Sequence, residues 1–266
     1  MIERLDREKW ESLYRILLKD PLRNYFNLLG IVGSKDIFRE IYAQKEGNDI
    51  KYLFFLRKSG TLKLYPIEKY NINEVSIFIK DLDFKHIISP ESYCEELCKT
   101  GVILKESVEG YLAQLKVRMI FSVGNDLDIR SLETYDIEKI EEIYTKTFRS
   151  YAPKNIIESR LLTGRGRAFG LFINNRMVAV AQTEFEDNSK AIIVGVATDP
   201  EYQNRGYSFE LMKFLCNILI SEGKEIYLEY ENEIAGKLYA KLGFVIIDSM
   251  CKYKKVGDNN DPQNRD

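Results

Sequence analysis

The sequence is poor in the residues that build disulfide scaffolds and metal sites. It has four cysteines and one histidine in 266 residues. So few cysteines exclude a secreted disulfide scaffold and indicate buried thiols in a reducing compartment. Cys94 and Cys98 are the only close pair, and no second Cys or His cluster exists to complete a tetrahedral site, so we expect no metal. His86, the only histidine, is expected to be a packed or surface residue rather than a base.

The sequence also lacks long apolar runs and an excess of one charge. No segment approaches the roughly 20 apolar residues that a membrane span needs, and the N-terminal MIERLDREKW has no signal-peptide core. The 39 basic and 41 acidic side chains give a net charge of −2. Such a balance creates no field that attracts nucleic acid or an anionic membrane. We therefore expect a cytoplasmic protein with neither partner, and the oligomeric state, monomer or homodimer, stays open.

The N-terminal half predicts helices around an antiparallel meander. Apolar residues at helical spacing predict an amphipathic helix from Leu5 to Leu18, ending before Pro21, and a second helix is expected from Leu22 to Gly30. The turn residues at 46–49 separate two runs rich in Ile, Tyr and Phe, which predicts a hairpin. The strands expected in this half are 38–44, 50–57, 61–66, 86–89 and 102–117, with helices at 73–80 and 91–99.

The C-terminal half repeats this order of elements. Its expected strands are 127–131, 168–173, 176–186, 191–198, 225–230 and 245–247, and its expected helices include 135–149 and 154–162. We therefore interpret the N-terminal half as a diverged copy of one fold. The polar, Gly-containing break at 122–126 predicts domains 1–121 and 122–256. The tail, residues 257–266, is GDNNDPQNRD and is expected to be disordered.

One stretch of the C-terminal half has the outline of a phosphate cradle. Ala191–Thr198 is an apolar, β-branched run that predicts a buried strand, and Asp199-Pro200 ends it. The bend Gln203–Ser208 then leads into a long amphipathic helix. Unpaired N–H groups and the positive end of the helix dipole favour an anion at such a helix start. Gly206 would let the backbone approach a phosphate closely, and Ser208 is small enough not to obstruct it.

A second pattern follows within some two dozen residues. After the expected strand Glu225–Tyr230, the sequence reads N-x-x-A-x-x-L-Y-x-K-L-G-F from Asn232 to Phe244. Together with V-x-T-D-P-E-Y-Q-N-R-G-Y-S at 196–208, it resembles the two main signatures of the GNAT superfamily of N-acetyltransferases. The resemblance covers residues 126–256. In the family's phosphate motif, Q/R-x-x-G-x-G/A, Ser208 replaces the final Gly or Ala, and no such motif occurs between Pro66 and Lys80 of the N-terminal half.

The resemblance implies an α/β fold of two GNAT-like domains, each a mostly antiparallel mixed sheet flanked by helices, with splayed central strands in the C-terminal domain. It implies an acyl-CoA-dependent N-acyltransferase that uses acetyl-CoA, needs no metal, and acts on a primary amine of a small molecule or peptide. Tyr239 would protonate the departing thiolate. The residues it assigns to binding acetyl-CoA are Val196, Ala197, Thr198, Gln203, Asn204, Arg205, Gly206, Tyr207, Ser208 and Asn232.

The general base stays open, because Ala191–Val196 contains no carboxylate. Glu184 with Glu186 on the preceding strand, or Glu229 on the strand before Asn232, are the candidates, and a water relay would need none of them. The missing carboxylate also leaves room for a different class of protein. The alternatives are a sensory or interaction module that binds acyl-CoA without turnover, and a structural pseudoenzyme that binds no cofactor.

Overall fold

The structure is a computed structural model that describes residues 1–33, 35–117 and 119–257. The chain divides into two compact units, which are described separately. Unit 1 comprises Met1–Tyr111 and the segment from Asp248 onward, and unit 2 is Leu112–Ile247. The predicted tail, apart from Gly257, lies outside the described residues.

Unit 1 is built from five strands, four helices and the ends of two longer strands. The strands are β1 (Ile2–Arg4), β2 (Phe38–Glu46), β3 (Asp49–Arg57), β4 (Thr61–Pro66) and β5 (His86–Pro90), and β6 (Ile103–Leu115) begins here. The helices are α1 (Tyr14–Leu17), α2 (Tyr25–Val32), α3 (Ile72–Asp81) and α4 (Glu91–Lys99).

The sheet of unit 1 confirms the predicted meander and adds a parallel pair. Strands β1 to β4 follow one another with antiparallel pairing. The next pair is parallel, with Thr61 opposite His86 and Leu62 opposite Ile87, because α3 carries the chain back across the sheet. Aromatic and aliphatic side chains of β3, β4 and α3 form the core, with Tyr52, Phe54, Leu62 and Val75 fully buried.

The N-terminus differs from the prediction of one amphipathic helix. Ile2–Arg4 instead pairs with β2, Arg7–Leu13 is a 3₁₀ helix, and only Tyr14–Leu17 is α-helical. The Leu5 N–H donates to the Ile41 carbonyl at 2.9 Å, and the Trp10 indole donates to the Leu5 carbonyl at 3.1 Å. These bonds hold the chain to the sheet edge, so tertiary pairing overrides the helical pattern.

Unit 2 carries the remaining elements. Its strands are β7 (Asp128–Leu132), β8 (Ala168–Ile173), β9 (Arg176–Glu184), β10 (Lys190–Thr198) and β11 (Glu225–Tyr230), and β12 (Phe244–Lys255) begins here and ends in unit 1. Its helices are α5 (Ile137–Thr147), α6 (Lys154–Leu162), α7 (Tyr207–Ser221) and α8 (Glu233–Lys241).

The sheet of unit 2 repeats the arrangement of unit 1. Strands β7 to β10 pair antiparallel in sequence order, and β10 then pairs parallel with β11 through the crossover helix α7. The parallel register ends at Ile193 opposite Leu228, although β10 continues to Thr198 and β11 to Tyr230. The two central strands therefore part at their carboxyl ends, as the resemblance implies.

Helices cover both faces of this sheet. The apolar side of α7, including Leu211, Leu215 and Leu219, packs on one face in a core that also contains Tyr239. On the other face, α5 and α6 bury Ile140, Tyr144 and Ile157. A mixed, largely antiparallel sheet flanked by helices is the predicted fold class.

The two compact units meet at positions other than the predicted domain boundary at 122–126. The division falls between Tyr111 and Leu112, inside β6, and again between Ile247 and Asp248, inside β12. In unit 1, Met250–Tyr253 of β12 pairs with β5. Two long strands thus contribute to both units, and the boundary at 122–126 stays a prediction about domains. Among the described residues, no helix is long and apolar enough to cross a membrane.

Candidate active site

A β-bulge interrupts β10 just beyond its last pair with β11. The register with β9 shifts between Val194 and Ala197, and Gly195 lies between them at φ +60°. A Cβ built on Gly195 would lie 1.9 Å from the Tyr144 hydroxyl oxygen. Only glycine can adopt the positive φ and also allow this close approach, so the bulge requires glycine at position 195.

The bulge decides which backbone groups of β10 are available to a ligand. Ala197 is opposite Val180, and the Asp199 N–H donates to the Val178 carbonyl at 2.8 Å. Because backbone groups alternate in direction along a strand, those of Val196 and Thr198 point away from β9. They face the side where pairing with β11 has ended. This open edge can accept an extended, amide-containing ligand as an additional strand partner.

A short turn anchored by Asp199 follows the strand. Its carboxylate accepts from the Glu201 N–H at 3.1 Å and contacts Lys146 at 3.2 Å and Arg176 at 3.0 Å. Burial raises the pKa of Asp199, but the hydrogen bond from Glu201 and the two cations outweigh it, so the pKa lies below its usual value. The turn is therefore held by an ionised carboxylate.

The bend after this turn leaves the start of α7 open. Asn204 and Gly206 have φ values of +62° and +81°, and Gly206 is the N-cap residue, so no side chain caps the helix. Apart from Gly206 and its two chain neighbours, no described residue has an atom within 4 Å of a Cβ built on Gly206. The helix α7 thus begins at a residue with no side chain, with open space where a Cβ would lie. Such a helix start can hold the pyrophosphate of a nucleotide cofactor.

Two contacts join the bend to the end of β10. The Ser208 hydroxyl hydrogen-bonds the Thr198 hydroxyl, and the Gln203 amide donates to the Thr198 carbonyl at 3.3 Å. Ser208, where this chain departs from the family's phosphate motif, therefore adds a side-chain link between β10 and α7. Arg205 lies over the Tyr202 ring at 5.2 Å and is exposed to solvent.

The corresponding helix start in unit 1 is closed. Asn71, the N-cap of α3, accepts the Glu74 N–H on its own side chain at 3.2 Å. The Gln44 amide oxygen in turn accepts from the Asn71 N–H at 2.9 Å. These bonds occupy donors that a phosphate would need, consistent with the missing glycine motif.

Tyr239 lies on α8 beside the sheet. The residue is 8% exposed, and its ring contacts those of Tyr230 and Phe244 at 5.6 and 5.8 Å. Burial, with a smaller effect of the nearby Cys216 thiol, raises the pKa of Tyr239 well above its usual value. No group among the described residues hydrogen-bonds its hydroxyl. Its proton is therefore retained at neutral pH and available to a ligand.

A cavity of about 370 Å³ lies beside Tyr239. Its wall contains no residue of the Gln203–Ser208 bend, so it is a separate concavity from the helix start. The lining residues are Ala113, Tyr230, Gly236, Tyr239, Ala240, Phe244, Val245 and Ile246. Asn232, at the start of α8, is exposed and caps that helix by accepting the Ala235 N–H at 2.8 Å.

The carboxylate candidates lie in different environments. Glu184 is fully buried, and its carboxylate pairs with the buried Arg160 guanidinium. Glu186 pairs with Arg167 and Lys224, which help to lower its pKa although burial opposes them. Glu229 is half-buried on β11, one residue past the last pair with β10. Of these residues, Glu229 has the position nearest to where the strands part.

Residues 133–244 match the model of the acetyltransferase (GNAT) family. These residues form a GNAT domain. The match contains the bulge, the open helix start and Tyr239. No curated protein matches the chain at a significant level.

Several solved structures share the fold. An acetyltransferase of the GNAT family from Colwellia psychrerythraea superposes with a TM-score of 0.73 at 11% identity, covering 96% of this chain and 99% of that one. A tandem GNAT protein from the clavulanic acid biosynthesis pathway, solved without AcCoA, gives a TM-score of 0.62 at 10% identity, covering 95% and 97%. A putative acetyltransferase of the GNAT family from Novosphingobium aromaticivorans gives 0.51 at 17%, covering 88% and 97%. The tandem neighbour supports two GNAT-like domains in this chain.

Two features of the GNAT domain were not anticipated from the sequence. The bulge at Gly195 had a signal, since an isolated glycine inside an apolar strand is typical of a bulge. Tyr144 had none, because its contact with Gly195 joins residues 51 apart in sequence. The described residues contain no group of three or more His, Cys, Asp or Glu side chains that could hold a metal ion. Cys94 is buried and Cys98 partly buried, and both are free thiols.

Proposed function

We propose that unit 2 is an N-acyltransferase that transfers acetyl from acetyl-CoA to a primary amine of a small molecule or peptide. The observation that carries this proposal is the continuity of two open features. The backbone edge of Val196 and the Thr198 N–H, beyond the last pair with β11, leads directly into the uncapped start of α7. A ligand with amides at one end and a pyrophosphate at the other has the chemistry that both features need.

The chain's residues bind such a ligand in order along β10 and α7. The Val196 carbonyl and the Thr198 N–H, on either side of Ala197, hydrogen-bond the amides of the pantetheine arm. The bend from Gln203 to Ser208 holds the pyrophosphate through the N–H groups of Asn204, Arg205, Gly206, Tyr207 and Ser208, since the Gln203 N–H already donates to the Pro200 carbonyl at 3.4 Å. Asn232 contributes its amide nitrogen, since its side-chain oxygen already caps α8. The open space around Gly206 and the absence of a capping side chain support this fit.

When bound, acetyl-CoA supplies a thioester carbonyl that an amine can attack, forming a C–N bond and breaking the C–S bond. Tyr239 donates its proton to the leaving sulfur, for which its raised pKa keeps it protonated. Glu229, directly or through water, takes a proton from the attacking nitrogen. Glu184 is less suited to that role because its carboxylate is buried against Arg160. Positioning of the two substrates supplies much of the rate.

A second candidate function is acyl-CoA binding without turnover. It is favoured by the lack of a carboxylate on residues 191–196 and by the pairing of Glu184 with Arg160. In that case the open edge and cradle bind the ligand, and Tyr239 is a core aromatic residue.

The test is a panel of small and peptide amines incubated with acetyl-CoA, with release of the free CoA thiol as the signal. We expect at least one amine to accelerate release, and Tyr239→Phe to lower kcat by about 10² to 10⁴, the usual range for general acid catalysis, with little change in the Kd of CoA. Tyr52→Phe is the matched control, because Tyr52 is fully buried and its hydroxyl has no hydrogen-bond partner within the part of the chain that the structure describes. Parental turnover in Tyr239→Phe would remove this residue from the mechanism. Binding without release for any amine would favour the second candidate.

A further inference from the structure

A tyrosine of α5, the helix on the other face of the sheet from α7, holds the bulge of β10. The Tyr144 hydroxyl, on α5, donates to the Gly195 carbonyl at 2.8 Å. Tyr144 is 2% exposed, and its ring contacts Phe148 and Tyr151. The bond therefore lies inside the fold, directly behind the strand edge to which the pantetheine arm is assigned.

A buried polar chain fixes the direction of this hydrogen bond. Gln182 donates its amide nitrogen to the Tyr144 oxygen at 2.7 Å and accepts from Arg160 on its amide oxygen. Arginine has donors only, so the Gln182 oxygen must face Arg160 and its NH₂ must face Tyr144. Because the Tyr144 oxygen already accepts a hydrogen bond from the Gln182 amide, the Tyr144 hydroxyl donates its own hydrogen to the Gly195 carbonyl. Arg160 is in turn held by Glu184, with a distance of 2.7 Å from its Nε to the carboxylate.

Peptide geometry converts this bond into a direction at the next residue. The Gly195 carbonyl and the Val196 N–H belong to one planar peptide unit, and the chain has no cis peptide among the described residues. In a trans peptide the two groups point in opposite directions. Holding the carbonyl toward Tyr144 therefore holds the Val196 N–H toward the open side of β10. Glycine allows many backbone conformations, so without this bond the peptide could rotate.

We infer that Tyr144 is a positioning residue that aims the Val196 N–H at the carbonyl oxygen of a bound thioester. The inference rests on the proposed function, because it needs acyl-CoA along β10. The N–H then stabilises negative charge that develops on that oxygen during acyl transfer. A preoriented donor of this kind costs no reorganisation at the moment of reaction, whereas a mobile one does. Gln182 and Arg160 act through Tyr144, and they orient its hydroxyl.

Removing the hydroxyl separates this role from packing. Tyr144→Phe keeps the ring but leaves the Gly195 carbonyl without its donor. Removing a single oxyanion donor typically lowers kcat by about 10² to 10³, so a misaimed donor is expected to lower it about 10- to 100-fold. The KM for the acceptor amine should change less than about threefold. A residue that only stabilised the fold would leave kcat of the folded fraction unchanged.

Binding provides a readout that needs no acceptor. CoA lacks the acyl carbonyl, so the ratio of the Kd of CoA to that of acetyl-CoA reports the bond to that oxygen. Tyr144→Phe should bind CoA within about twofold of the parent and bring this ratio toward 1. Infrared spectra of bound acetyl-CoA labelled with ¹³C at the carbonyl should show a lowered stretching frequency in the parent and a partial return to the free value in the variant.

Two further variants keep the test decisive. Tyr93→Phe removes a buried hydroxyl that donates to Asp20 at 3.0 Å in unit 1, and it should leave ratio, spectrum and kcat unchanged. Gln182→Glu places a carboxylate beside the Tyr144 hydroxyl, and this acceptor competes with the Gly195 carbonyl for the hydrogen bond that the hydroxyl donates. The variant should therefore shift the ratio of the two Kd values in the same direction as Tyr144→Phe does. It decides the question if Tyr144→Phe does not fold. An unchanged ratio and carbonyl frequency in a folded Tyr144→Phe or Gln182→Glu would overturn the inference. Failure of the parent to bind CoA at all would instead refute the proposed function.

Discussion

Two glycines flank α7, and making the same substitution at each of them separates backbone strain from an effect on ligand binding. Gly206 precedes α7 and Gly223 follows it, with φ values of +81° and +74°. Beyond their own chain neighbours, no atom of residues 1–33, 35–117 or 119–257 lies within 4 Å of the position that a Cβ would take at either glycine, so a side chain there meets backbone strain but no clash. Only Gly206 borders the open N–H groups that we assign to the pyrophosphate. Gly206→Val and Gly223→Val therefore carry similar strain and differ in what the new side chain obstructs.

The magnitudes follow from the two physical effects. A β-branched residue in the left-handed region costs about 1 to 3 kcal/mol, which should lower the melting temperature of both variants by several degrees. At Gly206 the side chain also blocks the approach of a phosphate. Each hydrogen bond to a charged group contributes about 1.5 to 3 kcal/mol, so losing one lowers CoA affinity about 10- to 100-fold.

The assay is a titration of CoA into each folded variant, with thermal denaturation as the check on folding. We expect Gly206→Val to raise the Kd of CoA at least about tenfold and Gly223→Val to leave it within about twofold. The milder Gly206→Ala should lie between the parent and Gly206→Val. If Gly206→Val binds CoA as tightly as Gly223→Val does, the assignment of the phosphate site is wrong.

Two further predictions concern the supports of the site. Asp199 has a lowered pKa in the folded state, so it contributes stability above its unfolded value of about 3.8, and this stability is lost as pH falls through the folded pKa. Asp199→Asn should lower the melting temperature at pH 7 and flatten its decline in acid, measured by calorimetric scans from neutral pH to below the unfolded pKa of about 3.8. Arg160→Met removes the nearer of the two cations that pair with the buried Glu184 carboxylate, the other being Arg165 at 3.6 Å, and should destabilise unit 2 by up to about 3 to 5 kcal/mol, measured by urea unfolding. Arg160→Met combined with Glu184→Leu should recover part of the loss.

The sequence predicted the parts of the site that depend on neighbouring residues. Pro200 ends a strand, Gly206 opens a bend and Asn232 caps a helix, and each leaves a signal within a few positions. The Tyr144–Gly195 bond and the Arg160–Glu184 pair join residues 51 and 24 apart, so they follow from how α5 and α6 pack on the sheet. No local pattern carries that information.

The last strand shows a second limit. The sequence predicted a strand only at 245–247, yet β12 runs from Phe244 to Lys255. Its later residues include Asp248, Ser249 and Lys252, which lower the apparent β propensity. Pairing of Met250–Tyr253 with β5 determines the strand there, because it satisfies the backbone regardless of those side chains. Similarly, the capped start of α3 is visible only from the bond between Asn71 and the Glu74 N–H.

Calorimetric titration of acetyl-CoA into the full chain tests the central claim most directly. Unit 2 offers an uncapped helix start beside a free strand edge, whereas Asn71 and Gln44 close the corresponding helix start of unit 1. We therefore predict one binding site per chain, abolished or much weakened in Gly206→Val. Two equivalent sites, or no binding at all, would contradict the account.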